Sequence, residues 1–278
     1  MNDAPLASVV VPTCNRPPEL RRCLQGLDVA RRTAGEPRVE VIVSDDGSDD
    51  RSRRMVAAEF PWAVVVAGPR RGPACNRNFG AAQARGDWLL FIDDDCIPDP
   101  GCLTVYLQAF GADSATRVFE GRTRAERPRR RHDEEAPVNE GGGYLWSCNM
   151  AIEGRLFRDL GGFCEAFAFS FEDVDLRLRL AQRSILPRFL PEASVCHPWR
   201  PARGMAFLRQ HNAAYRQLLA RHPELRPGLT WRRIAADALR LQLAVARDAA
   251  RYGPRGSARR LYAAVSKTLI DTRFKLVG

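Results

Sequence analysis

The chain has 278 residues, enough for one large α/β domain or two small ones with a full-sized core. Hydrophobic residues make up 45% and charged residues 27%, the usual composition of a soluble globular protein. No apolar run approaches the roughly 20 residues of a membrane span, and no signal-peptide pattern is visible. We therefore expect neither an integral membrane protein nor a classically secreted one.

The net charge of +10 is distributed unevenly. Residues 199–278 carry 17 basic and 4 acidic side chains, a net of +13, whereas residues 1–198 have a net of −3. This asymmetry suggests that the tail approaches an anionic partner such as lipid head groups, nucleic acid or a phosphorylated substrate. A solvated, arginine-rich helical surface is the alternative.

The eight cysteines form no CxxC pair and show no zinc-ribbon or zinc-finger spacing. We therefore predict reduced, buried thiols in a cytosolic protein.

The first hundred residues repeat one pattern of a short apolar run, a polar segment and then a helical segment. The predicted strands cover residues 7–12, 39–44, 63–67 and 88–92. Continuous apolar strands that alternate with helices predict a parallel sheet buried on both faces, with right-handed crossovers.

Polar side chains follow each of these strands. They are Asn15, Asp45 and Asp46, Arg70 and Arg71, and the run of Asp93, Asp94 and Asp95. In an open parallel sheet, ligands bind outside the carboxyl ends of the strands. Carboxylates and arginines at that edge suit a nucleoside diphosphate held with a divalent cation.

The rest of the chain is predicted to be less regular at first and then helical. Residues 121–142 read as a long surface loop, a candidate mobile lid. A helix is predicted from Ser170 to about Arg183 and an extended segment over residues 187–197. Helices are then predicted over residues 205–221, 230–252 and 256–272.

The triple aspartate gives the sharpest chemical signal. Mg²⁺ and Mn²⁺ prefer oxygen ligands, and Asp93 and Asp95 at positions i and i+2 can point to the same side. A solvated acidic turn is the alternative, although a turn does not require three adjacent like charges. Asp45 to Ser48 can be a turn with a helix cap or a second part of the site.

Three further features allow both a structural and a functional interpretation. The segment 71–78 places arginines at a helix start, where unpaired N–H groups favour anions, or it is a surface cap. Ser170 and Asp173 resemble a capping box, which physics alone favours over a catalytic role. His197 is by default a core histidine and otherwise a metal ligand.

Together these segments resemble a family 2 glycosyltransferase of the GT-A fold over about residues 6–222. The matching motifs are VVVPTCNR (9–16), VSDDGS (43–48), RGPACNRN (71–78), GDWLLFIDDD (86–95), and LGGFCEAFAFSFEDVDLRLRL (160–180) followed by Val195-Cys196-His197. The resemblance implies an α/β, Rossmann-like, mostly parallel central sheet flanked by helices, with a C-terminal helical extension.

The expected domains follow from the same resemblance. The GT-A domain would cover residues 1–202, with a nucleotide-binding half at 1–100 and an acceptor-side half at 101–202 that includes the mobile loop at about 122–142. A basic helical extension would cover residues 203–278.

The resemblance also implies roles for particular residues. Nucleotide contacts are expected from Pro12, Thr13, Asn15, Asp45, Asp46, Arg71, Asn76, Arg77, Asp93 and Asp94. The metal ligands are expected to be Asp95, Asp93 and His197. The expected catalytic base is Asp173, with Glu172 in reserve, and Trp146 and Asn149 are expected on the acceptor side. Phe171 departs from the family pattern, because a glycine often precedes the acidic pair.

The implied activity is inverting, metal-assisted transfer of a sugar from a nucleotide-sugar to an acceptor hydroxyl by direct displacement. A UDP-sugar is the favoured donor, and Mn²⁺ or Mg²⁺ is the expected cofactor. The acceptor would be a carbohydrate, a lipid-linked molecule or a small molecule, in cell-surface polysaccharide, glycolipid or secondary-metabolite glycosylation. We expect a cytoplasmic protein that the basic tail brings to the inner face of an anionic membrane.

Two other function classes remain as alternatives. A sugar-nucleotide pyrophosphorylase would carry a Gly-rich basic loop after the first strand, where this chain has Pro12 to Pro17. A non-enzymatic module would bind anionic surfaces through the tail. Nucleic acid is not an expected partner, because few aromatic residues interleave with the basic ones. A homodimer interface is another role open to the tail.

Overall fold

The computed structural model describes residues 5–35, 38–112, 115–167 and 169–277. Across these residues the chain divides into two compact units. The first comprises Met1–Glu126, Pro137–Ala168 and Glu172–Pro198; the second comprises Arg127–Ala136, Phe169–Phe171 and Trp199–Gly278. The main boundary thus lies at 198/199, where the sequence predicts 202/203, and two short earlier segments join the second unit.

One sheet forms the centre of the first unit. Its strands are β1 (Ala7–Thr13), β2 (Val39–Asp45), β3 (Val64–Ala67), β4 (Trp88–Ile92), β5 (Ile97–Pro98), β6 (Val118–Ala125), β8 (Asn149–Glu153) and β9 (Arg188–His197). The short strand β7 (Glu134–Glu135) belongs to the second unit. The strand order is β3-β2-β1-β4-β8-β6-β9-β5. Strands β1 to β4 pair in parallel, whereas β8 is antiparallel to both β4 and β6.

The parallel half of the sheet follows from the apolar strand runs. Every residue of β1 is buried, and Thr13 lies opposite Asp45 where β1 and β2 end together. Because the strands are parallel, the polar residues that follow β1, β2, β3 and β4 gather at one edge. The predicted parallel sheet is confirmed.

Helices cover both faces of this sheet. They are α1 (Pro17–Thr33), α2 (Arg51–Glu59), α3 (Pro73–Ala82), α4 (Cys102–Ala112), α5 (Gly154–Asp159) and α6 (Glu172–Gln182). Alternate residues of β1 point to opposite faces, so Val9 packs in one apolar cluster with α1, α2 and α4, and Val10 packs in another with α3, α5 and α6. The first unit is therefore a three-layer α/β structure.

The prediction of one long loop at about 122–142 is partly wrong. Strand β6 continues to Ala125, which pairs with His197 at the end of β9. Asn139 and Thr123 exchange backbone hydrogen bonds of 3.0 and 2.8 Å. The charged residues in this segment hid the extended pairing, because β9 supplies hydrogen-bond partners from a distant part of the chain.

The cysteines are also partly different from the prediction. All eight are free, as expected, and five of them are buried. Cys14, however, is exposed and Cys164 and Cys196 are only partly covered. Cys14 lies in the polar segment that follows β1, beyond the buried part of that strand.

The second unit is mainly helical. It contains β10 (Arg200–Pro201), which pairs with β7, and the helices α7 (Met205–Arg221), α8 (Trp231–Tyr252) and α9 (Ser257–Val277), with a 3₁₀ helix at Pro223–Gly228 between α7 and α8. The Thr230 hydroxyl accepts a hydrogen bond from the Arg233 N–H and caps α8. The three helices predicted after residue 203 are observed. None of the described helices is both long and apolar enough to cross a membrane.

Candidate active site

Asp94 is the central residue of the acidic run after β4, and it is fully buried. It accepts a hydrogen bond of 2.6 Å from the Thr13 hydroxyl at the end of β1, and Arg16 forms an ion pair with it. Burial raises the pKa of Asp94 to about 7, and the positive charge of Arg16 opposes that rise. The resemblance implies a nucleotide contact for Asp94, but here the carboxyl group joins the ends of two strands.

Asp95 lies beside His197. Asp95 Oδ2 pairs with Arg16 Nη1 at 2.9 Å, and Asp95 Oδ1 lies 3.2 Å from His197 Nε2. Both side chains are almost fully buried. The other ring nitrogen of His197 lies 2.7 Å from the carbonyl oxygen of Pro198, which assigns a proton to Nδ1 and leaves Nε2 facing the carboxylate.

This pair has the chemistry of a divalent-cation site. The carboxylate of Asp95, the thiol of Cys96 and the imidazole of His197 each offer an atom, and these atoms all lie within 4.8 Å of one another. Two electron-pair donors that face each other need a proton or a metal ion between them. The residues therefore fit a bound Mn²⁺ or Mg²⁺, with Asp95 as an oxygen ligand and His197 as a nitrogen ligand.

Asp93 faces a different partner. Arg77 on α3 donates to Asp93 Oδ1 at 2.5 Å and to Glu172 Oε1 at 2.9 Å. Only 4% of Arg77 is exposed, so its guanidinium is a buried bridge between the acidic run and the start of α6. Arg77 thus engages Asp93 and has an internal role where the resemblance implies a nucleotide contact.

The acidic pair at the start of α6 is in a desolvated environment. Burial, and next the negative charge of Asp173, raise the pKa of Glu172 to about 7. Burial also raises the pKa of Asp173, whose Oδ1 accepts the Val174 N–H at 2.8 Å. Asp173 retains more exposed surface than Glu172, which is engaged by Arg77. Of the two, Asp173 is therefore the carboxylate more available to an acceptor.

The start of α6 contradicts the capping-box interpretation. The helix begins at Glu172, two residues later than predicted, and the Ser170 hydroxyl lies 3.1 Å from His211 Nδ1 instead of capping α6. Phe171 has a φ of 74°, in the left-handed region that a bulky residue adopts only under strain. A glycine would adopt this φ without strain, so this position has the backbone conformation that the glycine of the family pattern favours.

The second strand end is held together by its own loop. Asp45 is almost fully buried and accepts hydrogen bonds from the Gly47 N–H at 2.8 Å and from Arg53 at 2.9 Å. Asp46 accepts the Arg70 N–H at 2.9 Å, and burial raises its pKa. Asp46 is the more exposed of the two, so Asp45 shapes the loop while Asp46 remains the better nucleotide candidate.

Asn15 and Asn76 connect loops at this edge. Asn15, with a φ of 56°, accepts the Ser48 N–H at 2.9 Å. The amide of Asn76 donates to the Ser44 carbonyl at 2.8 Å and to the Thr13 carbonyl at 3.3 Å. Asn76 is 2% exposed and thus ties β1 to β2, whereas Asn15 is exposed at the edge of the sheet.

Two other expected nucleotide contacts differ in accessibility. Pro12 is buried inside β1. The side chain of Arg71 is 67% exposed and lies 3.2 Å from Glu165. Arg71 can therefore reach a phosphate group from solvent, and Pro12 supports the strand beneath.

The two residues expected on the acceptor side, Trp146 and Asn149, also lie in different environments. The rings of Trp146 and Tyr144 lie 4.7 Å apart, and Tyr144 is half exposed. Asn149 is 2% exposed, and its amide donates to the carbonyls of Arg122 and Ala193 at 2.9 Å each. The sheet engages the Asn149 side chain, which does not support its expected acceptor contact.

Arg16 and Cys96 are two residues of this cluster that the sequence did not single out. Arg16 follows Asn15 at the carboxyl end of β1, and a basic residue at that position was a usable signal for a carboxylate partner. Cys96 directly follows the acidic run, but a lone cysteine after three aspartates has no ligand spacing of its own. Its proximity to His197 comes from the pairing of β5 with β9.

The sheet and this cluster define an α/β protein with carboxylates, an imidazole and arginines at the carboxyl ends of its strands, the edge where open α/β sheets bind ligands. The sequence model described as "Glycosyl transferase family 2" matches residues 8–174. The chain belongs to glycosyl transferase family 2.

Individual relatives agree with this assignment. The chain is 31% identical over 201 residues to an uncharacterized glycosyltransferase of Haemophilus influenzae, which covers 67% of this chain and 64% of that protein. It is 30% identical over 236 residues to the pre-mycofactocin glycosyltransferase of Mycobacterium tuberculosis, which covers 78% of this chain and 48% of that protein. The chain thus spans about half to two thirds of the length of these relatives.

A solved structure shows the same fold. The mannosyltransferase PcManGT from Pyrobaculum calidifontis, in complex with GDP-Man and Mn²⁺, superposes with a TM-score of 0.62 at 20% identity. The match covers 99% of this chain and 88% of that one. The expected GT-A fold is therefore confirmed.

Proposed function

We propose that the chain is an inverting, metal-dependent glycosyltransferase that moves a sugar from a nucleotide-sugar, with a UDP-sugar favoured, to an acceptor hydroxyl. The observation that carries this proposal is a pair of contacts at one site. Asp95 lies beside His197, and Arg77 forms an ion pair with Glu172, the residue before Asp173. Family membership supports this proposal over the pyrophosphorylase and the non-enzymatic module.

Each residue of this set has a distinct task in the proposed reaction. Asp95 and His197 would hold a divalent cation, which would neutralise the departing nucleoside diphosphate. Arg16 fixes the position of Asp95 through a charge-assisted hydrogen bond of 2.9 Å. Asp46 and Arg71 are the accessible side chains for the nucleotide at the same edge.

Asp173 would act as the general base. It would accept the proton of the acceptor hydroxyl as that oxygen attacks the anomeric carbon from the face opposite the leaving group. A single displacement inverts the anomeric centre and needs one base. The buried Arg77–Glu172 ion pair would hold the start of α6, and hence Asp173, in a constant orientation.

The donor is tested by thermal unfolding in the presence of UDP, GDP, dTDP and CDP, each with and without Mn²⁺. We expect UDP with Mn²⁺ to give the largest stabilisation, roughly 5 °C at about 100 times Kd, since a ligand that binds only the folded state adds about 2.7 kcal/mol at that concentration. UDP with EDTA is the control for metal dependence. Stabilisation by none of the four nucleotides when metal is present contradicts the proposal.

The second unit supports a further part of the proposal, peripheral contact with an anionic membrane. Helix α8 exposes Leu239 and Leu243, and α9 exposes Leu261, Val265 and Leu269, each with 44–65% of its surface accessible. These residues, which we call the outer stripes, recur every four positions along each helix. Large exposed apolar side chains on basic helices favour a surface that is both apolar and anionic.

The outer stripes are tested by co-sedimentation with phosphatidylcholine vesicles that contain or lack phosphatidylglycerol. The triple variant Leu261→Ser, Val265→Ser, Leu269→Ser is expected to bind anionic vesicles at least about tenfold more weakly than wild type, because each apolar side chain contributes roughly 1.5–3 kcal/mol when buried. Wild-type binding is expected to weaken with salt.

The matched control is Val29→Ser with Leu186→Ser, which removes exposed apolar groups from the first unit. This control should bind as wild type does. Equal loss in both variants, or unchanged binding of the triple variant, contradicts membrane contact. Self-association of wild type that the triple variant abolishes, without vesicle binding, assigns the stripes to a homodimer instead.

A further inference from the structure

The second unit contains a cavity of about 570 Å³ that is lined by residues of α7, α8 and α9. This volume falls within the range of roughly 300–1,000 Å³ that is typical of small-molecule sites. All of its described lining residues belong to the second unit, and Asp95, His197 and Asp173 are not among them.

One part of the cavity wall is apolar. Leu241 and Val245 line it from α8, Leu208 from α7 and Ala264 from α9. Leu241 and Val245 are four residues apart and lie on the side of α8 opposite the exposed Leu239 and Leu243. Such a wall suits an alkyl chain, which gains free energy in proportion to the apolar area removed from water.

The other part of the lining is basic. Arg203, Arg259, Arg260 and Lys267 contribute four cations, against the single carboxylate of Glu135 among the described lining residues. Arg259 pairs with Glu135 at 2.8 Å, and the guanidinium of Arg203 lies 3.5 Å from the centre of the Phe207 ring. Lys267 pairs with Asp271 and Arg260 with Asp248, two carboxylates outside the described lining residues. The lining itself carries more cations than carboxylates.

Arg260 is a desolvated cation of this lining. Burial, and next the positive charge of Arg129, lower the pKa of Arg260 from its usual value. Its only carboxylate within reach among the described ion pairs is Asp248, at 3.3 Å. An anion in the cavity would offset this desolvated positive charge.

We propose that this cavity binds a single-chain amphiphile with an anionic phosphate head group. The chain lies against Leu241, Val245 and Ala264, and the phosphate lies among Arg203, Arg259, Arg260 and Lys267. This site requires neither the donor nor the transfer reaction. Phe171, which precedes the acidic pair in the sequence, is also part of the lining.

Binding is measured by isothermal titration calorimetry with dodecyl phosphate below its critical micelle concentration. Inorganic phosphate carries the head-group charge without the chain, and dodecyl maltoside carries the chain without the charge. Each is expected to bind at least about tenfold more weakly than dodecyl phosphate, because charge and apolar area both contribute to binding. Equal binding of inorganic phosphate and dodecyl phosphate overturns the proposal, as does the absence of dodecyl phosphate binding.

Two variants locate the binding. Arg203→Gln with Lys267→Gln is expected to weaken binding of dodecyl phosphate at least about tenfold, because charge-assisted hydrogen bonds are lost. Ala264→Phe fills the cavity and should abolish binding. The control, Arg232→Gln with Arg240→Gln, removes the same charge from exposed positions of α8 and should bind normally. Equal weakening in the control and in the double variant overturns the site.

Two sources of this ligand chemistry are distinguished by the head group. Tighter binding of dodecyl phosphate than of lysophosphatidylglycerol supports a lipid phosphomonoester, and the reverse order supports a bilayer phospholipid. Circular dichroism of each variant establishes that it folds. Because the readout is binding alone, an absence of sugar transfer does not affect this result, and a failure here leaves the transferase proposal intact.

Discussion

Replacing Asp95 with alanine is expected to lower turnover by roughly 10²–10³-fold, because a positioned charge that stabilises the leaving group contributes about that much to the rate. Asp95 is the residue that lies between His197 Nε2, at 3.2 Å, and Arg16 Nη1, at 2.9 Å. Its removal should also eliminate the Mn²⁺-dependent part of nucleotide stabilisation in thermal unfolding. Nucleotide binding without metal should change much less.

The matched control is Asp99→Asn, four residues further along the chain. Asp99 forms an ion pair with Arg124 and lies outside the cluster of Asp95 and His197. This variant should retain both turnover and the Mn²⁺ effect. If Asp95→Ala binds nucleotide with the same dependence on Mn²⁺ as wild type, the assignment of the cation to Asp95 and His197 is wrong.

The sequence predicted the parallel half of the sheet because local information is sufficient there. The runs in β1, β2 and β4 are buried on both faces, so apolar continuity and the polar residues that follow are both visible in the chain. The end of β6 cannot be predicted from apolar continuity in the same way. Residues 122–125 are charged or small, and only their pairing with β9 makes them a strand.

The candidate site was predictable in position but not in its internal contacts. The acidic run and His197 were identified from strand ends and from the family resemblance. The buried bridge from Arg77 to Asp93 and Glu172 joins residues 16 and 95 positions apart, and no periodicity in the sequence reports such a pairing. Arg16 pairs with both Asp94 and Asp95, whereas Thr13 contacts only the first and His197 only the second among the described contacts; the tertiary structure determines these partners.

The contacts of Arg77 link the acidic run after β4 to the acidic pair of Glu172 and Asp173. Arg77 is 4% exposed and bonds both to Asp93, in the run that follows β4, and to Glu172, at the start of α6. The two carboxylates together compensate the buried positive charge of Arg77, and each orients its guanidinium. The position of the start of α6 is therefore coupled to that of the acidic run. Because Asp173 lies at the start of α6, this coupling fixes its position relative to the acidic run.

Replacing Asp173 with asparagine is expected to lower kcat by roughly 10²–10⁴-fold, the usual contribution of a general base, and to leave nucleotide binding unchanged. Burial raises the pKa of Asp173, and the neighbouring Glu172 has a pKa raised to about 7. The base acts only when deprotonated, so wild-type kcat/KM should fall as pH decreases through the raised pKa of Asp173 and should level off at higher pH.

Glu172→Gln is the variant that distinguishes the two carboxylates. It removes a negative charge beside Asp173 and leaves Arg77 with Asp93 as its remaining partner in the bridge, so ionisation of Asp173 becomes easier. If Asp173 is the base, Glu172→Gln should retain more activity than Asp173→Asn, and its acid limb should move to lower pH. If Glu172→Gln abolishes turnover while Asp173→Asn retains it with an acid limb at lower pH, Glu172 is the base. A pH profile that neither substitution changes would exclude both carboxylates from proton transfer.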